Sequence, residues 1–551
     1  MDVLAFFFQS IAWLLWAFVR LLRALAIGSW RVLRGGVRLA RRQVRQGGTH
    51  GTARFATRWE ILRSGLLFGK GPVLGKGRFG RLLRFTQDGL VMVFAATGAG
   101  KGLGIVVPTL LDYPGSILVT DPKGENYAIT RRRRAKFGKV RMLSPTDLMH
   151  SERYNPLDIV RAGTPLEADD AAMLARYMVR PDAREPHWDD KAVSLLTALI
   201  LHTLAEPPET RTLAHVRRLS VGEANTFRAT LEAIARNSRS VKAAEIASGL
   251  LGTLPTGDTS KAGEFESVLS NVQKATEIWS SGSAGGVLSS ASTFSLDELV
   301  TGTATVYLCV DEEFLAVYDR WLRVMTGCVL STILRAKRLA PGRRKVLLLL
   351  DEVAVLGALD PLEKQAGLLR AYCTPVLIWQ HILQAISVYG PERGPAFLAN
   401  ASCRVFFGTN DNDTAAYVST MIGHATVLSS SQGVSQSSDA WLRQQHQQGQ
   451  NESGYWLLDP AEVQRLPVTR MIIKFRNLAF PMMTKRIDYR RRLRWAGQWD
   501  KWRAAVPPQP EFPFRAETQV TEASDAMAHE PAPLRPRRSL DRGLPPSAPA
   551  T

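Results

Sequence analysis

Ala95-Ala96-Thr97-Gly98-Ala99-Gly100-Lys101-Gly102 is the stretch from which the fold is read. The apolar run Leu90 to Phe94 leads into it, and a helix-compatible segment, Leu103 to Leu111, leads out. That is the strand, glycine loop, helix context of a phosphate-binding loop. Glycines at 98 and 100 let successive backbone N–H groups turn inward around an anion, and the following helix presents its positive end. Lys101 is then placed to reach the β- and γ-phosphates of a nucleotide cradled by Ala95 through Leu103. Two letters depart from the usual pattern. Ala95 stands where a glycine is common, and Gly102 stands where a Ser or Thr would put its hydroxyl on magnesium. Pro108 lies inside the expected helix and should bend it.

The partner of this loop lies far downstream, at Lys345-Val346-Leu347-Leu348-Leu349-Leu350-Asp351-Glu352. A β-prone run buried on both faces and ending in two acids delivers one carboxylate towards a metal and the next towards a water. Asp351 is the expected Mg2+ ligand, acting through the ion's water shell, and Glu352 the expected base for the attacking water. Pro375 to Trp379 reads as an adjoining strand that ends in Gln380. That amide either contacts the γ-phosphate or the lytic water, or caps a turn. Asp121, at the end of the strand Ser116 to Thr120, is open to two readings as well: a contact in the magnesium's outer shell, or a cap on the following turn.

Composition frames the rest. The chain has 551 residues, 45% of them apolar, with a formal charge of +20. There is room for several domains, and the charge calls for an anionic partner, nucleic acid or lipid. A soluble metabolic kinase does not fit it. The four cysteines, Cys309, Cys328, Cys373 and Cys403, sit in apolar segments without metal-ligand spacing, as expected of reduced, buried thiols.

Val3 to Ile27 is apolar enough to span a bilayer if Arg20 and Arg23 snorkel. Between Asp2 and Glu60 there is no acid, whereas Arg31, Arg34, Arg38, Arg41, Arg42 and Arg45 recur at helical spacing. That asymmetry places the bulk of the protein on the cytoplasmic side of an inner membrane, held by one N-terminal span. A cleaved signal peptide would need a basic leader and a small-residue cleavage site, and the sequence offers neither.

Along the chain, residues 1–30 form the expected anchor and 31–87 a basic linker with hairpin turns at Gly69-Lys70-Gly71 and Gly75-Lys76-Gly77. Residues 88–163 form the first part of a nucleotide-binding α/β domain. From 164 to 295 apolar residues recur three and four apart, as in Leu166 to Val179, Asp189 to Leu204, Val221 to Ile234 and Val241 to Leu251, which predicts an inserted all-α domain. Alternation resumes over 296–495, with a strand at Thr303 to Val310, helices at Glu313 to Ala340 and Leu362 to Tyr372, a strand at Cys403 to Thr409 and a last strand at Arg470 to Phe475. Thr426 to Ser453 is Ser- and Gln-rich and reads as a mobile surface loop. From Val506 to Thr551 prolines and scattered charges replace periodicity, and a disordered tail is expected over 496–551.

AATGAGKGLGIVVPTLL, LVTDPKGENYAIT, RYNPL, HWDDKA, LLLDEVAVLGALDPLEK, IWQHILQ and VFFGTNDNDTA together resemble the TraG-type coupling proteins of bacterial conjugation and type IV secretion, from about His50 to Tyr489. The resemblance includes the glycine that follows the loop lysine, which is usual in that family. It implies an inner-membrane P-loop ATPase of the ring-translocase type, using ATP and Mg2+ and assembling as a homo-hexamer. It also implies receipt of relaxase-bound single-stranded DNA, or effector proteins, for delivery to the components of a secretion channel. Carried over by position, Lys101 is the phosphate lysine, Asp351 the magnesium acid, Glu352 the water-activating acid and Gln380 the sensor. Arg370 and Arg404 are the candidates for an arginine finger. The family usually has two membrane spans where this chain shows one. Two other readings have different consequences: an adaptor that binds nucleotide without turnover, motivated by Ala95 and Gly102, and a chromosome-pumping translocase, disfavoured by the helical insert.

Overall fold

The computed structural model describes residues 51–502 except 78–79, 182–185, 223, 254–258, 337–343, 365 and 436–444. The expected membrane segment, and the tail from 503 on, lie outside the described residues. Among those described, no helix is long and apolar enough to cross a membrane.

Thirteen strands occur among the described residues: β1 Val73–Lys76, β2 Leu82–Arg84, β3 Val91–Ala95, β4 Ile117–Asp121, β5 Lys139–Leu143, β6 Ala304–Cys309, β7 Val346–Leu350, β8 Cys373–Trp379, β9 Cys403–Phe407, β10 His424–Ser435, β11 Gln445–Trp456, β12 Arg470–Phe475 and β13 Met482–Lys485. Eleven of them make one sheet in the order β2-β1-β13-β12-β9-β3-β8-β7-β4-β6-β5. The seven from β9 to β5 run parallel, and the other four extend the sheet antiparallel. Parallel strands bury both faces, so their sequences run apolar without a break. In β7, Val346, Leu348 and Leu350 enter one core while Leu347 and Leu349 enter the other. The first core continues into the all-α insert through Leu196, Leu231 and Val272. The second takes Ile105, Val106 and Leu110 from the segment after the phosphate loop. Insert and phosphate-loop helix therefore pack on opposite faces of the sheet.

The insert is helical as expected, with helices at Glu167–Met178, Pro186–Ala205, Leu213–Ser220, Ala224–Asn237, Val241–Thr253 and Thr259–Thr276. The expected bend at Pro108 takes the form of a wide turn. Residues Gly102–Val106 form a π-helical turn, closed by Val107 N–H donating to the Gly102 carbonyl, and a regular helix starts at Val107. Pro108 is thus the second residue of that helix, directly after the wide turn.

Four expectations are corrected. Thr426 to Ser453 is no loop over most of its length: β10 and β11 pair residue for residue from His424↔Trp456 to Ser435↔Gln445. Backbone pairing needs no apolar side chains, and composition alone does not reveal it. The helix expected from Glu313 begins at Asp319, after a short turn at Glu312–Phe314. Arg470–Phe475 is not the last strand, because β13 pairs with it and with β1. The tail does not start at 496 either: the Asp500 N–H donates to the Ile129 carbonyl at 3.0 Å, and Arg132 pairs with Asp500 at 3.0 Å.

Candidate functional site

β3, β7, β8 and β9 all end on the same edge of the sheet, so the residues that follow them converge. Ala95 is the last residue of β3, buried and in extended conformation, so the position does not require glycine. The turn follows, with Ala99 N–H donating to the Ala96 carbonyl at 3.0 Å. Gly98 and Gly100 take φ of +78° and +84°, the left-handed region that admits glycine freely. A Cβ at Gly98 or Gly102 would meet nothing within 4 Å, so space is open beside the loop.

Lys101 bridges to the far strand end. Its Nζ lies 2.9 Å from Asp351 Oδ1 and also donates to Glu352 Oε1, joining residues 251 positions apart. Burial opposes the ammonium's charge, but the two carboxylates outweigh it and hold its pKa above the ordinary value. Burial raises the Asp351 carboxyl, and Lys101 offsets this only in part. Thr120 Oγ1 fixes the backbone here by donating to the Asp351 carbonyl at 2.8 Å. Glu352 sits at φ 51°, ψ 45°, the one non-glycine residue with positive φ among the described residues. An L-residue pays roughly 1–2 kcal/mol for that conformation, and strain of this kind clusters at functional sites.

Gln380 Nε2 donates to Glu352 Oε2 at 3.0 Å. The helix Ile382–Tyr389 is capped instead by His381, whose Nδ1 accepts from Gln384 N–H at 3.3 Å. Of the two readings of Gln380, the turn cap is thus taken by its neighbour, and the amide faces the acid. For Asp121 the outcome is the reverse. Its oxygens accept from Asn126 Nδ2 at 3.1 Å and Tyr127 N–H at 2.8 Å, so it caps the helix Glu125–Arg134. Arg370 precedes β8 and Arg404 is the second residue of β9, at the opposite edge from the site. Arg404 donates to the Tyr417 hydroxyl, and Arg370 is exposed.

Sequence reading missed Arg486. It follows β13, and its Nη1 donates to the Ala99 carbonyl of the loop at 2.5 Å. The strand that places it is four residues long and carries no periodic signal.

An open glycine loop, a lysine with no other assignment than two acids, and an acid pair at a strand end form a donor set that fits a nucleotide phosphate and Mg2+. The family model for type IV secretory system conjugative DNA transfer matches residues 52–527. The chain belongs to that family. Among its relatives, Protein VirD4 of Rhizobium rhizogenes is 30% identical over 455 residues, covering 80% of this chain and 65% of VirD4. The conjugal transfer protein TraG of Agrobacterium fabrum (strain C58 / ATCC 33970) is 31% identical over 371 residues, covering 65% and 54%. The chain spans just under two thirds of the length of VirD4 and about half of that of TraG. The solved bacterial conjugative coupling protein TrwBdeltaN70, in its unbound monoclinic form, superposes with a TM-score of 0.59 at 15% identity, covering 79% of this chain and 93% of its own. TrwB in complex with ADP and Mg2+ gives 0.57, also at 15% identity, covering 79% and 94%. At that identity the likeness is one of fold.

Proposed function

We propose that this protein is an ATP-hydrolysing coupling protein of a type IV secretion system. It would work as a membrane-anchored homo-hexamer that hands relaxase-bound single-stranded DNA, effector proteins, or both to the channel. The observation that carries the reading is the closure of Lys101 on Asp351 and Glu352, with Gln380 on the second acid. Membership of a conjugative DNA transfer family supports a DNA cargo, and TrwB, which shares the fold, is solved in complex with the non-hydrolysable ATP analogue ADPNP and with ADP and Mg2+, which supports a nucleotide in the loop.

In this reading Lys101 leaves the carboxylates for the phosphates of ATP, freeing the acids. Asp351 is the carboxylate that would hold Mg2+, which when bound polarises the phosphate oxygens and neutralises developing charge. Glu352 accepts the proton of the attacking water, and Gln380 orients either that water or Glu352 itself. The strained backbone at Glu352 fixes where its carboxylate points before substrate arrives.

Two variants of the full chain test the reading. Lys101→Ala should lose ATP binding and transfer together. Glu352→Gln should bind ATP normally and hydrolyse it roughly 10²–10⁴-fold more slowly, because the change removes a base and leaves the phosphate contacts in place. Transfer undiminished in both would end the motor reading. Transfer lost in Lys101→Ala but retained in Glu352→Gln, with no turnover in wild type, would establish the adaptor reading in its place.

A further inference from the structure

Arg486 lies where the hairpin β12–β13 returns over the phosphate loop. Its N–H donates to the Thr469 carbonyl at 2.8 Å, which fixes the backbone immediately after β13. The side chain then runs along the loop. A Cβ on Gly104 would come within 2.5 Å of Arg486 Cγ, and one on Gly100 within 1.5 Å of Nη1. Two positions without side chains therefore make the channel in which this arginine lies, and its guanidinium rests against the backbone one residue before Lys101.

The charge there is uncompensated. Lys101 has two carboxylates, whereas Arg486 donates to one neutral carbonyl and no carboxylate of a described residue lies within ion-pairing distance of it. A guanidinium carries five N–H donors in a fixed fork that matches the oxygens of a phosphate. One donor is in use. Beside it is a loop whose amides already converge on an anion.

We propose that Arg486 is a phosphate ligand supplied by the C-terminal hairpin of the same chain. It turns from the Ala99 carbonyl to the phosphate chain of the nucleoside triphosphate, and loop occupancy is thereby transmitted to β13. The inference rests on the nucleotide reading of the loop given above. It extends that reading to a residue outside the motif and to an element, the antiparallel edge of the sheet, that the motif does not include.

The test is equilibrium binding of ATP, and of inorganic triphosphate as its competitor, to the full chain in detergent. Wild type is compared with Arg486→Ala, Arg486→Lys, Gly104→Ala and Lys101→Ala. Loss of a charge-assisted contact predicts binding roughly 10- to 150-fold weaker in Arg486→Ala for both probes. Arg486→Lys should fall between, keeping the charge without the fork. Gly104→Ala, which leaves the arginine in place but fills its channel, should weaken binding in the same sense. Wild-type affinity in Arg486→Ala, with Lys101→Ala at least tenfold weaker, overturns the assignment and leaves the nucleotide site standing. Equal affinity in wild type and Lys101→Ala overturns the site itself. A loss confined to ATP, with triphosphate unaffected, or one matched by a lower melting temperature of the nucleotide-free protein and fully restored in Arg486→Lys, also counts against a phosphate contact.

Discussion

At the scale of single residues, the site residues that could be read from sequence are those whose neighbours in the chain supply their context. Lys101 has its glycines and Asp351 its apolar strand; each is recognised locally, and the sheet brings them together. Arg486 has no such context. Its place follows from a hairpin at the far end of the fold, and five other arginines stand between 490 and 503 with nothing in the letters to rank them. Asp121 shows the opposite limit, where type and position are right but orientation decides the role. Burial pushes its carboxyl up to about 6 from an ordinary 3.8. The unfolded chain gives up that proton near the ordinary value, so between about pH 4 and 6 the folded state holds a proton that the unfolded state has lost. Stability should therefore fall as pH rises through this window, by on the order of 3 kcal/mol, and stay level with respect to this group above it. Melting of the nucleotide-free protein across pH 4.5 to 7.5 checks this. Asp121→Asn should flatten the slope, since an amide keeps the size and the cap without the charge.

At the scale of elements, the helix Asp319–Arg335 ties the insert to the segment that follows the acid pair Asp351-Glu352. Arg323, almost wholly buried, donates to the Tyr177 carbonyl at 3.1 Å and to the Leu356 and Ala358 carbonyls at 2.9 and 2.6 Å. One guanidinium thus joins the end of the first insert helix to the segment that follows Glu352. Gly327 of the same helix lies under the Tyr177 ring, where a Cβ would come within 2.5 Å. Arg323→Leu leaves two buried carbonyls and one part-buried carbonyl without this donor and should cost about 2–4 kcal/mol, less than three full penalties because a buried charge goes too. Urea denaturation measures it, and Arg323→Lys should not restore the loss, since an ammonium on a flexible stem cannot reproduce the planar fork. Helix boundaries and the β10–β11 ribbon show what sequence could not give at this scale. Apolar periodicity marks the face a helix buries but not where its first turn closes, which is why Asp319 and not Glu313 begins this one. The ribbon pairs through its backbone, to which a Ser- and Gln-rich composition is indifferent.

At the scale of the whole molecule, the basic excess is not all available to a polyanion. Arg134 is fully buried, held by the Gly115 carbonyl at 2.6 Å, the Thr305 hydroxyl at 2.8 Å and the carbonyls of Leu110 and Tyr113, so part of the run Arg131 to Arg134 closes the end of the phosphate-loop helix. The order of the sheet has a consequence in time. β3, which carries the phosphate loop, lies between β8 and β9, and both are made roughly 280 or more residues later. At a synthesis rate of about 5–20 residues per second, β3 waits roughly 15–60 s outside the ribosome with both edges unpaired. Unpaired apolar edges recruit other chains. Nascent chains stalled between Thr253 and Val346 should therefore be bound by chaperones or aggregate, and chains stalled beyond Phe475 should not. Ribosome-bound chains of graded length, assayed by pelleting and by protease resistance of the first half, would show whether solubility returns at that length. The glycine loop, though among the first parts of the α/β domain to be translated, gains its flanking strands only when β8 and β9 arrive.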